Sequence, residues 1–528
     1  MSEDVKQNIN DQQTATRNLT RLTVINTVFQ FVIQISLKAI TFLVNSYLIR
    51  NVDMRVIAIS NVRLALLHSS IVGLGRDAFR RTVPKGLNSF KSGQLVYTDY
   101  RTFVQLCYPV SVTLYIALTT AWMWTSPTEL KLDYIRLATL IYSTSALIEL
   151  LSEPTNLIMN AQLRFKEQMV LEAVGSFIHC AVQFILVAFK LGDPLMAYAY
   201  AQLLNSIFIF IGTMFAEPAE IRMICRMTTL DMPQLNNPMV RRWIGYYKHT
   251  FAKQFLTQFE NYAITFLHMC PSLEDQATFE TINRLGSSIA RIALSPIEQN
   301  SYTLYSKLGQ DAVDQQQSKY QIRKHLTTVL RIVLTASICA LTITIPYAPY
   351  FTKAYGLQSV MAANLLRLFN IYIVLLAWNG MTECLLQATA SPERLTAHRN
   401  FLFLCSILSA ICLILLSRLF KMHVGPQCLL IFNCLNMLIR CVYNQLYCSR
   451  WLMISDFMLL KEIAPNAMIL LVCYPICLAI NCNQQTEFLK GVFTSVAILV
   501  PLIIYTERCL IADLYKYISN QVFQMIRI

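Results

Sequence analysis

Apolar runs of about 20 residues alternate with short polar connections along most of the chain, the length an α-helix needs to cross a bilayer. The first run sets the pattern. From Asn26 to Asn45 it reads NTVFQFVIQISLKAITFLVN, and Asn26, Gln30, Gln34, Lys38, Thr41 and Asn45 fall on one helical stripe. Most of the remaining surface is Val, Ile, Leu and Phe. A Lys at that depth costs roughly 3 kcal/mol on insertion scales, tolerable where the polar face looks into a wet cavity or a protein interior. The stripe therefore reads as one wall of a substrate path.

The stripe recurs 224 positions later. Gln30, Phe31, Gln34 and the run Ala39 to Leu43 match Gln254, Phe255, Gln258 and the run Ala263 to Leu267, while Lys38 meets Tyr262. This predicts a duplicated half. About fourteen spans follow from segment length, with a polar linker after the sixth. The span at Phe279–Tyr302 is interrupted by Arg284, Arg291, Pro296 and Glu298. With the N-terminus in the cytosol, cytosolic segments hold most of the Lys and Arg. The other side holds Arg50, Arg55, Lys131, Lys190, Lys353, Arg418, Lys421 and Lys490. That asymmetry predicts both termini in the cytosol. Six spans separate the two stripes, so the repeat is parallel. The expected fold is all-α and polytopic. It comprises a cytosolic tail at 1–20, a six-helix lobe at 21–216, a cytosolic linker at 217–248, a second six-helix lobe at 249–448, and two extra helices with a cytosolic tail at 449–528.

Composition agrees: 55% of the 528 residues are hydrophobic and 14% charged, against about 25% charged in soluble domains. The net charge of +14 belongs to membrane orientation rather than to nucleic acid. Most of the 16 Cys lie inside apolar runs, where they serve as small packing residues. No CxxC pair or Cys/His quartet suggests a metal, and no phosphate-binding Gly loop, HExxH or nucleophile elbow suggests an enzyme. No cofactor is expected. The polar segment Met1 to Thr20 is not a cleaved signal peptide.

Cations at span depth are the candidate chemistry. The first half has Lys38 and Arg63, with Arg76, Arg80 and Arg81 at the cytosolic mouth; the second has Lys253, Arg284 and Arg291, accompanied by Glu260 and Glu298. An excess of cations suits an anionic substrate, because Arg grips phosphate oxygens in a bidentate way. The competing reading is structural: snorkelling, or pairing such as Glu260–Arg284 and Arg291–Glu298. Glu149, Glu153 and Glu172 bracket the turn Leu151-Ser152-Glu153-Pro154, where Pro154 restarts a helix. Glu383, four residues after Asn379, is a candidate proton relay or an interhelical hydrogen-bonding group.

Several of these segments resemble the RFT family of endoplasmic-reticulum proteins. They are Asn61 to Leu64, Arg76 to Arg81, Leu151 to Pro154, Lys253 to Leu256, Leu285 to Arg291, Ser295 to Glu298, Asn379 to Cys384 and Asn433 to Arg440. The resemblance implies the multidrug, oligosaccharidyl-lipid and polysaccharide exporter fold with a central cavity. It also implies a mannose-rich oligosaccharide on dolichyl pyrophosphate as the lipid substrate, flipped for protein N-glycosylation with membrane lipids and other N-glycosylation proteins as partners. Arg50, Arg63, Arg76, Arg80, Arg81, Glu260, Arg291 and Glu298 occupy charged positions typical of the family; at Lys38 the family more often has Arg. The alternatives are a non-transporting accessory that delivers the lipid and a cation-coupled drug antiporter of the same fold.

Overall fold

The computed structural model describes residues 39–82, 95–125, 132–161, 165–216, 238–266, 272–310, 315–419 and 425–464, with the single positions 497 and 501. These residues are almost wholly helical. After α1 (39–51) come α2 (Met54–Ala58), a π-helical turn (Ile59–Leu64) and α3 (Ala65–Thr82). Next are α4 (Leu95–Trp124), α5 (Leu132–Leu151), α6 (Glu153–Ala161), α7 (Phe165–Ala188), α8 (Pro194–Ala216), α9 (Pro238–Thr257) and α10 (Phe259–Phe266). Then follow α11 (Leu273–Gln310), α12 (Gln315–Tyr355), α13 (Val360–Thr389), α14 (Pro392–Leu419), α15 (Pro426–Leu452) and α16 (Asp456–Ile463). Among the described residues, nine helices are long and apolar enough to cross a membrane. The chain is thus an all-α, multi-pass membrane protein.

Differences from the expected spans have local causes. The two C-terminal spans, and the first span up to Lys38, lie outside the described residues. The interrupted segment Phe279–Tyr302 sits inside α11, an unbroken helix of 38 residues. At 1.5 Å per residue such a helix is about 57 Å long, well beyond a ~30 Å hydrocarbon core, so its charged turns need not lie in lipid. Part of the segment read as linker, from Pro238 onward, is the start of α9. Proline suits that first turn because its missing N–H would have no partner there. Hydrogen bonds from Gln258 N to Gln254 O (3.0 Å) and from Tyr262 N to Gln258 O (2.9 Å) carry α9 into α10 with only a local irregularity.

The chain forms two compact units, Thr20–Ala277 and, with Met1–Leu19, Thr278–Ile528. In the first, Leu66, Leu67, Ile71 and Val72 of α3 pack with Trp122, Ala146 and Leu150, flanked by Tyr262 and Phe266. Trp122 meets the Phe266 ring edge-on at 4.9 Å. In the second, Tyr305, Ile322, Leu326, Leu330, Met381, Leu385 and Cys448 form the main core across α11, α12, α13 and α15. Their side chains mesh because lipid tails are as apolar as they are, leaving fit and hydrogen bonding to hold helices together.

Leu330 is fully buried in that core. Leu330→Ala is expected to cost about 2 kcal/mol, the low end for a core cavity, since lipid rather than water is the alternative surrounding. Thermal or denaturant unfolding of the purified protein in detergent measures this.

Candidate functional site

The second of the two matching polar stripes packs against α3. Gln254 Nε2 donates to the Ser69 carbonyl (3.1 Å), and the Tyr262 hydroxyl pairs with Ser70 Oγ (2.6 Å). Asn261 Nδ2 donates to Gln258 Oε1 (2.9 Å). Gly73 permits the seam, since a Cβ there would meet the Gln254 amide. This copy of the stripe is a helix–helix contact held by polar groups. In the first copy, Lys38 lies outside the described residues, and Thr41 Oγ1 is 3.6 Å from Cys180 Sγ.

Arg63 projects from the π-helical turn and is 8% exposed. Its Nη2 donates to Thr125 Oγ1 (2.9 Å) and to the Thr125 carbonyl, at the C-terminal end of α4. Trp122 Nε1 returns a bond to the Arg63 carbonyl (3.0 Å). A cation at a helix C-terminus meets unsatisfied carbonyls and the negative end of the dipole. Arg63 lies in the last turn of the π-helical segment, and such turns are frequent at functional sites.

A turn or more further along α3, the cations meet carboxylates. Arg76 Nη2 donates to Glu149 Oε1 (2.5 Å) and its Nε to Glu153 Oε2 (3.1 Å). Arg80 Nη2 donates to Glu153 Oε2 (3.2 Å) and its Nε to the other oxygen. Glu153 is fully buried and opens α6, where Pro154 starts the helix as the sequence predicts. His68 Nε2 lies 3.3 Å from Glu149 Oε2 and 3.0 Å from Gln202 Nε2. A cavity of about 300 Å³ opens beside this network, lined by His68, Arg76, Glu149, Asn156, Gln168, Glu172, Gln202 and Asn205. Arg76 and Arg80 are therefore held by two carboxylates. The missed clue was the spacing of Glu149 and Glu153, one helical turn apart, opposite an Arg pair with the same spacing. His68 and Gln202 carried no comparable sign.

In the second unit, Arg284 Nε donates to Glu280 Oε1 (2.5 Å) within α11. Glu298 lies against Gly380 of α13, where a Cβ would collide with its carboxylate. Glu383 accepts from Asn379 Nδ2 (2.8 Å) and Gln387 Nε2 (2.9 Å). The side chains of Arg81, Lys253, Glu260 and Arg291 are not among those described. Among the described residues, no group of three or more His, Cys, Asp or Glu is placed to hold a metal ion.

This arrangement of helices defines a class. The chain matches the lipid II flippase MurJ in an inward closed conformation with TM-score 0.64 at 13% identity, covering 93% of this chain and 99% of that one. It matches an inward-facing multidrug resistance MATE family transporter of the MOP superfamily with TM-score 0.54 at 11% identity, covering 80% and 98%. The fold is that of a multi-pass transporter. The Rft protein family model matches residues 23–517, and the chain belongs to that family. Similar proteins include two named Man(5)GlcNAc(2)-PP-dolichol translocation protein RFT1. The one from Xenopus tropicalis is 28% identical, covering 84% of this chain and 85% of its own. The one from Mus musculus is 27% identical, covering 77% and 78%.

Glu153 holds two guanidiniums with no exposure of its own. Glu153→Ala is expected to destabilise the protein by about 3 kcal/mol, the low end for breaking a buried pair, because it leaves the half-buried Arg80 without a counter-charge and Arg76 with Glu149 alone. Arg63→Ala should cost less, about 1.5–3 kcal/mol, the worth of charged hydrogen bonds to the end of α4. Thermal unfolding of the two variants side by side tests the order.

Proposed function

We propose that this protein moves a dolichyl-pyrophosphate-linked, mannose-rich oligosaccharide from the cytosolic to the lumenal leaflet of the endoplasmic reticulum, for use in protein N-glycosylation. One observation carries the reading: family membership over residues 23–517, with relatives bearing that translocation name along most of their length. The likeness to a lipid II flippase supports a fold suited to lipid-linked sugars, not the substrate itself. A six-plus-six helical organisation, both termini in the cytosol and alternating access complete the proposal. The protein is not an enzyme on this reading.

Physical chemistry assigns the parts. The dolichol tail stays in the hydrocarbon and the sugars need a hydrated route. A pyrophosphate needs donors that can leave their present partners. Lys38, Arg63, Arg76, Arg80, Arg81, Lys253, Arg284 and Arg291 are the proposed donors, with Glu260 and Glu298 as counter-charges. Arg76 and Arg80 reach a phosphate only by exchanging Glu149 and Glu153 for it, which makes them candidates for a switch between two partners rather than a standing anion trap.

The experiment is reconstitution of the purified protein in liposomes holding lipid-linked oligosaccharide labelled in one leaflet. Faster appearance of label in the other leaflet than in protein-free vesicles is expected, and Arg291→Ala should abolish the gain while leaving expression and helicity intact. A rate equal to that of protein-free vesicles would instead favour the accessory that hands the lipid on without moving it. Export of a cationic dye, with no movement of the lipid, would favour the antiporter.

A further inference from the structure

Inside the Thr20–Ala277 unit, α3, α5, α6, α7 and α8 wall the cavity of about 300 Å³ that opens beside Arg76. That volume is at the low end for a small-molecule site. Its lining is the reverse of the usual one. Small-molecule sites are mostly apolar with a few polar groups, whereas Leu171 and Ile209 are the only apolar members of the twelve described residues that line this one. A cavity so lined suits a ligand that is polar over most of its surface.

Several lining groups have hydrogen-bonding capacity to spare. Gln168 of α7 is 8% exposed, and its amide has no hydrogen-bond partner among the described residues. Asn156 of α6 is 3% exposed; its Nδ2 donates to Ser152 Oγ (3.2 Å), while its Oδ1 has no partner among the described residues. On α8, Asn205 Oδ1 is buried and unmet. Gly175 of α7 makes room for it, since a Cβ there would collide with that oxygen. An unmet buried polar atom costs about 1–3 kcal/mol, so three amides from three helices around one space call for a partner that both donates and accepts.

Charge decides among polar ligands. Arg76 is engaged by Glu149 (2.5 Å) and Glu153 (3.1 Å). Glu172, an exposed member of the lining, has no ion-pair partner among the described residues. With these pairs intact, a phosphate in the cavity would face Glu149 and an uncompensated Glu172, and like charges disfavour it. A metal cation would face the Arg76 guanidinium, and among the described residues no group of three or more His, Cys, Asp or Glu is placed to hold one. A neutral ring bearing several hydroxyls meets both conditions. Each hydroxyl supplies one donor and two acceptor lone pairs, a match for amides and carboxylates alike.

We propose that this cavity binds one sugar ring of the lipid-linked oligosaccharide, with Gln168, Asn156 and Asn205 as the contacts that determine specificity. The identity of the substrate rests on the translocation reading. What the cavity adds is a place inside one unit where a sugar is held while Arg76 keeps its carboxylates, with the pyrophosphate outside it. Hydrogen bonds alone hold the ring, since no aromatic side chain is among the described residues of the lining. Binding is therefore weak, in the millimolar range.

The test is saturation-transfer NMR on the purified full-length protein in lipid nanodiscs, with methyl α-D-mannopyranoside as the probe. Transfer to the probe is expected in the wild type. Lipid-linked oligosaccharide added to the nanodiscs should displace the probe, and inorganic pyrophosphate should not. Gln168→Leu and Asn205→Leu are each expected to weaken binding about tenfold, the loss of one or two hydrogen bonds. Glu393→Gln, at the exposed start of α14, should leave binding unchanged. Absence of transfer in the wild type overturns the proposal, with no variant needed, and leaves the cavity to water. Wild-type binding in both Leu variants overturns it too, as does failure of the lipid-linked oligosaccharide to displace the probe. Displacement by pyrophosphate would make this an anion site and also sink it. Movement of lipid in the liposomes without sugar binding removes this assignment alone, whereas sugar binding without movement upholds it and removes the translocation reading.

Discussion

A charge shut inside a helical bundle needs a partner in place of water, and the polar contacts among the described residues answer that constraint. Glu153 shows it most plainly. A fully buried carboxylate would be costly alone, yet here it opens a helix, at the positive end of its dipole, and grips two guanidiniums from a neighbouring helix. The Arg76–Glu149 bond and the His68 contact extend the same solution along α3 and α5. Remove the carboxylates and the cations of α3 have nothing to hold them in a low-dielectric interior.

The same constraint explains how the helices meet. Apolar surface cannot choose a partner when lipid is equally apolar, so polar groups select the contacts. Gln254 and Tyr262 bind Ser69 and Ser70; Trp122 donates to the Arg63 carbonyl and Arg63 to Thr125; Asn444 binds Asn379 across α13 and α15. Small residues give these groups room. A Cβ at Gly73 would meet the Gln254 amide, and one at Gly380 would meet the Glu298 carboxylate. A stripe of Gln, Asn and Tyr along an apolar helix is therefore a seam as readily as the wall of a channel.

How much of this was legible in the sequence depended on the range of each cue. Helix length and apolarity are local, and segment length alone predicts spans where α5, α7, α8 and α13 run. The helix start at Pro154 was also local. Pairing is not local: Arg76 with Glu153 joins residues 77 positions apart, and Arg63 with Thr125 joins residues 62 apart. Nothing in either segment names the other. Arg284 pairs with Glu280, four residues upstream on the same helix, an i, i+4 partner that needs no second element. Family membership was legible from short motifs, since those depend on residue identity rather than on contact.

The central claim is that guanidiniums and carboxylates inside the first unit act as one network. A double-mutant cycle on Arg76→Gln and Glu149→Gln, read by unfolding of the purified protein, measures it directly. A coupling energy above about 1 kcal/mol is expected of charged groups that share a buried bond. Additivity within about 0.5 kcal/mol would mean that each side chain is satisfied elsewhere, and would contradict the account.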